Sequence, residues 1–209
     1  MDAIFFDLDN TLVLWRIPIH QEIVTRFLKV MGVENPEHFY QNYWHDVEER
    51  LEKLAITAED YLTVWRPVLF EVIVKTKKEL MPKYAYLAPG ALKLLRRVKK
   101  PKALVSNSLA ESVHNVLRFF KIEKYFDYIY ERDFYNEDEH KPKRIVAEKV
   151  CNALGIRPNK NILMLGDSEV DIEFAHNSGL TAIAIGRYHD DADYYYPNLE
   201  EFYRHIRKF

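Results

Sequence analysis

Two aspartates that lie two positions apart, Asp7 and Asp9, are the first candidates for chemistry in this sequence. They belong to a DxDxT pattern at residues 7–11, directly after the apolar run 3–6. One such carboxylate can attack a phosphorus atom, and the other can donate a proton to the leaving oxygen and later take one from water. We therefore assign the first role to Asp7 and the second to Asp9. The alternative is a pair of acids that caps a turn.

A hydroxyl-bearing segment is the second candidate. Ser106 comes directly after the apolar residues 103–105, and Asn107 lies beside it. A hydroxyl group and the neighbouring backbone N–H groups can hold phosphoryl oxygens. The same two residue types are also common in turns that carry no chemistry. Both interpretations are open for this segment.

A lysine that precedes a proline is the third candidate. Lys141 is followed by Pro142 and then by a helical pattern, and His140 flanks it. An ammonium group fixed at this position could neutralise a phosphoryl group together with the attacking carboxylate. Most lysines are solvated surface groups, so Lys141 indicates a functional site only in combination with the acids.

An acidic segment after another apolar run, residues 162–165, is the fourth candidate. Gly166 allows a sharp turn, Asp167 follows it, and Asp171 lies one helical turn further on. Carboxylate oxygens are the ligands that Mg²⁺ prefers. Acids at the start of a helix can also serve only as caps. The run, the glycine and the two acids together favour a magnesium site.

These four candidates can form one site only if the strands that precede them end at the same edge of a sheet. Beyond Pro82, apolar runs alternate with helical patterns, which predicts a parallel sheet with helices on both faces. Sites in such sheets form outside the carboxyl ends of the strands. Residues 18–80 show helical periodicity instead and predict an all-helical insertion. We predict an α/β fold, with a Rossmann-like three-layer core at 1–14 and 86–209 and a small all-helical domain at 15–85.

Composition bounds the class of protein. The 209 residues are 48% hydrophobic and 30% charged, which suits a packed soluble core. The formal net charge of −2 gives no reason to expect a nucleic-acid partner. No apolar run approaches the ~20 residues of a membrane helix, and we expect neither a signal peptide nor a membrane partner. The lone cysteine, Cys151, excludes an internal disulfide, so a cytoplasmic location is expected.

The four candidates, in this order, resemble the phosphatase branch of the haloacid dehalogenase superfamily, and in particular its phosphoglycolate-phosphatase-like members. The stretches that carry the resemblance are residues 5–12, 104–107, 140–142 and 165–172. The family's helical cap is inserted after the first motif, where the helical segment lies here. The dehalogenases of the superfamily lack the second acid of that motif, so the presence of Asp9 favours phosphoester chemistry.

The resemblance implies a role for each matching residue. Asp7 would be the nucleophile that forms an aspartyl-phosphate, Asp9 the general acid and base, and Lys141 the cation that holds nucleophile and phosphate together. The implied substrate-binding residues are Thr11, Ser106 and Asn107. The implied ligands of the Mg²⁺ cofactor are Asp7, Asp9, Asp167 and Asp171.

The implied function is hydrolysis of a small phosphorylated metabolite by a monomer or a homodimer. A phosphomutase of the same superfamily shares the motifs, and a non-enzymatic phosphate-responsive binding or signalling protein could share the fold. The substrate could be phosphoglycolate, a sugar phosphate, a nucleotide or a phosphoprotein. The residues of the helical segment that could contact it are basic or aromatic: Trp15, Arg16, His20, Arg26, Trp44, His45, Arg50, Trp65 and Arg66.

Overall fold

Eight short strands form among the residues that the computed structural model describes, which are 1–43, 47–133 and 139–209. Most of them coincide with the apolar runs of the sequence. In chain order they are β1 (Ala3–Phe6), β2 (Val13–Trp15), β3 (Ala85–Leu87), β4 (Lys102–Ser106), β5 (Tyr128–Glu131), β6 (Ile162–Gly166), β7 (Thr181–Ile185) and β8 (Tyr194–Tyr196).

Six of these strands form one parallel sheet in the order β5-β4-β1-β6-β7-β8. β1 lies between β4 and β6, with Phe5 opposite Ala103 and Met164. Every side chain of β1, β4, β6 and β7 is buried. A strand that is covered on both faces reads as a continuous apolar run, which explains why apolar runs marked these strands. The carboxyl ends of β1, β4 and β6 therefore lie side by side.

The chain divides into two units, of which one, Trp15–Tyr84, is helical and is called the helical unit below. Its α1 and α2 pack together through Val24, Leu28 and Phe39. No strand occurs among the described residues of 18–80, as predicted. The helices of this unit are α1 (Ile19–Val30), α2 (Pro36–Tyr43), α3 (Val47–Lys53), α4 (Ala58–Asp60) and α5 (Arg66–Tyr84).

A wide turn of π-helix, Tyr61–Trp65, joins α4 to α5. There the backbone N–H of Arg66 donates to the carbonyl of Tyr61, one residue further back than in an α-helix. Pro67 has no backbone N–H, and in an α-helix its ring would clash with the carbonyl four residues before it. The wider turn avoids this conflict, so the helix continues through a proline that would otherwise break it.

The other unit, called the core unit below, consists of Met1–Leu14 and Ala85–Phe209 and contains the parallel sheet. On one face of the sheet, Val150 and Phe174 are buried in the same cluster as Phe5. The helices of this unit are α6 (Ala91–Arg97), α7 (Ala110–Phe119), α8 (Arg144–Ala153), α9 (Glu169–Asn177) and α10 (Leu199–His205). The predicted α/β class, with a parallel sheet, flanking helices and a smaller helical part, is confirmed.

Two short strands that the sequence did not predict lie near the points where the chain passes between the two units. β2 and β3 pair with each other in a separate two-stranded sheet. Next to them, the backbone N–H of Arg16 donates to the carbonyl of Tyr84 at 2.9 Å. Strands of three residues are too short to show a periodic pattern, which is why they escaped prediction.

Over the described ranges of the chain, no helix combines the length and the apolar character that a bilayer-spanning segment requires.

Candidate active site

Four polar segments converge at the carboxyl edge of the sheet. Asp7 directly follows β1, Ser106 is the last residue of β4, and Asp167 directly follows β6. The backbone N–H of Asp7 still donates to the carbonyl of Leu165, so the first and last of these segments remain paired beyond the strands. Lys141, which belongs to no strand, joins them from the turn before α8.

Lys141 is the centre of the cluster. Its Nζ lies 2.6 Å from Oδ1 of Asp7 and 2.5 Å from Oδ1 of Asp171. The lysine is 3% exposed and Asp171 is 1% exposed. A buried ammonium group that contacts two carboxylates stays charged and keeps a fixed orientation. Lys141 therefore holds together acids from two segments that are distant in sequence.

Asn107 fixes the backbone of Lys141. Its Nδ2 donates to the Lys141 carbonyl at 3.0 Å, and its Oδ1 accepts from the Lys141 backbone N–H at 2.9 Å. Both polar atoms of the amide therefore face the lysine backbone. The structure thus gives Asn107 a positioning role toward Lys141, whereas its predicted contact with substrate stays a prediction.

Three carboxylates form a cluster that could hold a metal ion. Oxygens of Asp7, Asp167 and Asp171 lie within 4.8 Å of one another. The close approach depends on Gly166, since a Cβ at that residue would lie 2.3 Å from the Cβ and Cγ of Asp171. This glycine was predicted to permit a sharp turn. Its φ is not positive, and the space for the Asp171 side chain explains it instead.

Both carboxylate oxygens of Asp171 have protein partners. Its Oδ1 contacts Lys141, and its Oδ2 accepts from the hydroxyl of Ser168 at 2.6 Å and from the Ser168 backbone N–H at 3.2 Å. Ser168 is the N-cap of α9, and Asp171 is the third residue of that helix. The carboxylate therefore closes the first turn of α9 and orients Lys141 at the same time.

Asp167 is held by two contacts, one to its side chain and one to its backbone. The Thr11 hydroxyl donates to its Oδ1 at 3.4 Å, and Nε2 of His189 lies 2.8 Å from its backbone carbonyl oxygen. Thr11 is fully buried. The predicted contact of Thr11 with the phosphoryl group stays a prediction. His189 was not predicted, because a histidine in the loop after β7 matches no motif.

Asp9 lies in the turn after β1 and contacts the loop after β4. Its Oδ2 accepts from the Ser108 hydroxyl at 2.9 Å. The turn is tight, with Asn10 at a φ of 60°, a left-handed conformation that asparagine tolerates better than most residues. The loop after β4 is also folded on itself, since the Ser108 backbone N–H donates to Oγ of the buried Ser106 at 3.1 Å. Ser108 was not among the predicted site residues.

Charge in the cluster is unbalanced. Burial raises the pKa of Asp7 to about 8; Asp171 and Asp167 add to this rise, and Lys141 opposes it. Burial, followed by Asp171, raises the pKa of Asp167 to about 6. Burial alone lowers the pKa of Lys141, but its two carboxylate partners outweigh this and raise it. The lysine therefore stays charged, and the acids of the cluster share one ammonium.

A divalent cation fits this imbalance. Three ionised carboxylates and one ammonium leave an excess of two negative charges, and oxygen donors are the ligands that hard divalent cations prefer. The pKa values of Asp7 and Asp167 are raised first by burial and also by the neighbouring carboxylates, and a cation held by these acids would favour their ionised forms. The donor set thus suits a metal ion.

The basic and aromatic candidates that the structure describes all lie in the helical unit. Arg26 is paired with Glu22 at 2.7 Å and Glu79 at 2.8 Å, so its charge is already balanced. Burial lowers the pKa of His20, and a neighbouring lysine adds to this effect. Two of the predicted candidates lie outside the described residues: Trp44 and His45.

Comparison with known proteins places these features in a family. Residues 4–185 match the family model described as haloacid dehalogenase-like hydrolase. A provisionally named pyrophosphatase, PpaX, from Caldanaerobacter subterraneus is 27% identical over 88% of this chain and 80% of its own. A phosphoglycolate phosphatase from Chromobacterium violaceum is 26% identical over 91% and 87%. The crystal structure of CbbY from Rhodobacter sphaeroides in complex with phosphate superposes with a TM-score of 0.72, at 21% identity and 96% coverage of both chains.

Proposed function

The chain belongs to the haloacid dehalogenase-like hydrolases, and on this premise we propose that the carboxylate cluster is the active centre of a phosphatase for a small phosphorylated substrate. The family resemblance that the motifs suggested is confirmed by the match over residues 4–185. One observation carries the proposal of a phosphatase centre: a buried lysine orients Asp7 within an acid cluster that suits a divalent cation. The names of the two relatives, both enzymes that act on phosphorus, support it.

Asp7 is the nucleophile in this proposal. One of its oxygens attacks the phosphorus of the substrate, and an aspartyl-phosphate forms as the bond from phosphorus to the leaving oxygen breaks. Lys141, at 2.6 Å from Oδ1, keeps the carboxylate oriented and offsets the negative charge of the phosphoryl group. Asn107 contributes by holding the backbone of that lysine.

Asp9 moves the protons. It donates a proton to the leaving oxygen as the first step proceeds, so that the alcohol leaves neutral. In the second step it takes a proton from the water that attacks the phosphorus of the aspartyl-phosphate. This step releases inorganic phosphate, regenerates the Asp7 carboxylate and returns Asp9 to its protonated form. Asp7 and Asp9 therefore divide nucleophilic and acid–base work between them.

Mg²⁺ is the cation we propose for the acid cluster. Asp7 and Asp167 would hold it with the backbone carbonyl of Asp9, and Asp171 would stand behind them, since both of its oxygens already have protein partners. When bound, the cation neutralises charge on the carboxylates and on the phosphoryl group. Thr11 and His189 would keep Asp167 in place through the contacts described above.

The helical unit, Trp15–Tyr84, is proposed to be a cap that selects the substrate. Phosphoglycolate and pyrophosphate are the first substrates to test, because they are the ones that the names of the two relatives imply. A panel should add sugar phosphates and nucleotides. Measurement of phosphate release with Mg²⁺ present would rank these classes by kcat/KM.

Trapping the covalent intermediate tests the proposed chemistry directly. A single-turnover reaction is quenched and reduced with borohydride, which converts an aspartyl-phosphate to homoserine that peptide mass spectrometry locates. We expect homoserine at position 7 in the natural chain, and none in Asp7→Asn together with loss of turnover. Asp191→Asn is the matched control, because that aspartate is exposed in the same unit. Near-normal activity of Asp7→Asn, or homoserine at another position, would contradict the proposal.

A further inference from the structure

We propose that Ser108 is a positioning residue for the acid–base carboxylate of Asp9. The inference rests on the proposed function, since it assumes that Asp9 transfers the protons. It starts from one contact: the Ser108 hydroxyl donates to Oδ2 of Asp9 at 2.9 Å across two loops that follow different strands. A hydrogen bond to an ionised group is among the stronger ones in proteins.

The contact restricts the orientation of the Asp9 carboxylate. A carboxylate on a short side chain can rotate about two bonds, and a general acid must present its proton to one point in space. With Oδ2 engaged by Ser108, fewer orientations remain open to the carboxylate that donates the proton to the leaving oxygen. Without that contact, the carboxylate samples other rotamers and spends less time in the productive one.

Ser108 can act as an anchor because its own loop is held. Its backbone N–H donates to Oγ of Ser106, the buried last residue of β4. Between these two serines, Asn107 makes two hydrogen bonds to the backbone of Lys141. One three-residue loop therefore orients the acid–base group through Ser108 and the catalytic lysine through Asn107.

Leaving-group dependence separates this role from a general structural one. Phenyl phosphate and 4-nitrophenyl phosphate contain the same aromatic ring but release leaving groups of different basicity. Phenolate, from phenyl phosphate, is the more basic and needs a proton to leave, whereas 4-nitrophenolate leaves readily without one. We expect Ser108→Ala to lower kcat/KM for phenyl phosphate on the order of tenfold, because a hydrogen bond to a charged group is lost. For 4-nitrophenyl phosphate we expect a change of less than about threefold.

Three further variants complete the comparison. Ser108→Thr keeps the hydroxyl and should restore most of the activity on phenyl phosphate, whereas Ser108→Cys, a weak donor, should behave like alanine. Ser112→Ala is the matched control, because that hydroxyl is buried in the following helix, α7, and has no hydrogen-bond partner in the described structure. Ser112→Ala should leave kcat/KM unchanged for both substrates. Thermal unfolding of each variant verifies that the comparison is made on folded protein.

A double-mutant cycle decides whether Ser108 acts through Asp9. In an Asp9→Ala background, Ser108→Ala should cause no further loss on phenyl phosphate, since the group that it orients is gone. Additive losses, or equal losses of Ser108→Ala on both substrates, would overturn the inference while leaving the proposed function intact. If Asp9→Ala itself lowered kcat/KM equally for both substrates, the acid–base role of Asp9 would fail, and the role of Ser108 would fail with it.

Discussion

Replacement of Gly166 by alanine should disable the site through one added methyl group. The new Cβ would lie 2.3 Å from Cβ and Cγ of Asp171 and 2.4 Å from its Oδ2, where carbon atoms in contact normally stand ~3.5–4.0 Å apart. Asp171 would have to move by more than an ångström. It cannot do so and keep its 2.5 Å contact with Lys141 and its bonds to Ser168.

The expected cost follows from those contacts. Overpacking a core costs about 1–3 kcal/mol, and loss of a hydrogen bond to a charged group costs about 1.5–3 kcal/mol. The two effects overlap, so we expect Gly166→Ala to lower the free energy of unfolding by about 3–5 kcal/mol. Activity should fall by at least about 100-fold, because Lys141 loses one of the two acids that orient it.

Denaturant unfolding and phosphatase assays would measure both effects. Gly155→Ala is a useful reference: its added Cβ would meet nothing within 4 Å, and its φ of 68° imposes only backbone strain, worth about 1–2 kcal/mol. Its activity should be unchanged. A Gly166→Ala protein with a loss below about 1 kcal/mol and normal activity would refute the reasoning. So would purely additive effects of Gly166→Ala and Asp171→Gly, since removal of the Asp171 side chain removes the clash.

Two further predictions concern the cation and the helical unit. Activity should vanish in chelator and return with Mg²⁺, and Asp167→Ala should raise the half-activating Mg²⁺ concentration more than Asp171→Ala does. The half-activating Mg²⁺ concentration should also rise as the pH falls from 8 to 6. Burial raises the pKa of Asp7 to about 8 and of Asp167 to about 6, so protons compete with the metal at lower pH. Full activity without metal, or metal activation that does not depend on pH, would contradict this prediction. Replacement of residues 15–84 by a short linker should lower kcat/KM more for the preferred substrate than for a small aryl phosphate. An unchanged ratio between the two substrates, measured on folded protein, would show that the helical unit does not select substrate.

The sequence predicted the parts of the fold that carry strong local signals. β1, β4 and β6 contain continuous apolar runs because they are buried on both faces, and Asp7, Ser106 and Asp167 stand at or just after the ends of these runs. Parallel strands place those ends at one edge, so Asp7 and Asp167 could be expected to meet. β2, β3 and β8 have three residues each and gave no such signal.

The contacts that refine the site could not be predicted in the same way. Ser108 reaches Asp9 across 99 positions of the sequence, and His189 reaches Asp167 from a loop that matches no motif. The function of Gly166 depends on where the side chain of Asp171 lies in space, which only packing determines. Local patterns thus indicate which residues take part, whereas their division into reacting and supporting groups depends on tertiary contacts.

The central position of β1 has a consequence for synthesis on the ribosome. Phe5 is synthesised well before its partners Ala103 and Met164, which belong to later segments of the chain. An apolar strand with no partner is prone to aggregation until its neighbours appear. The helical unit, Trp15–Tyr84, is continuous in sequence and is made between β1 and the later strands of the parallel sheet. β1 therefore stays without its sheet partners while the whole helical unit is made, and it is enclosed only after β6 has been synthesised.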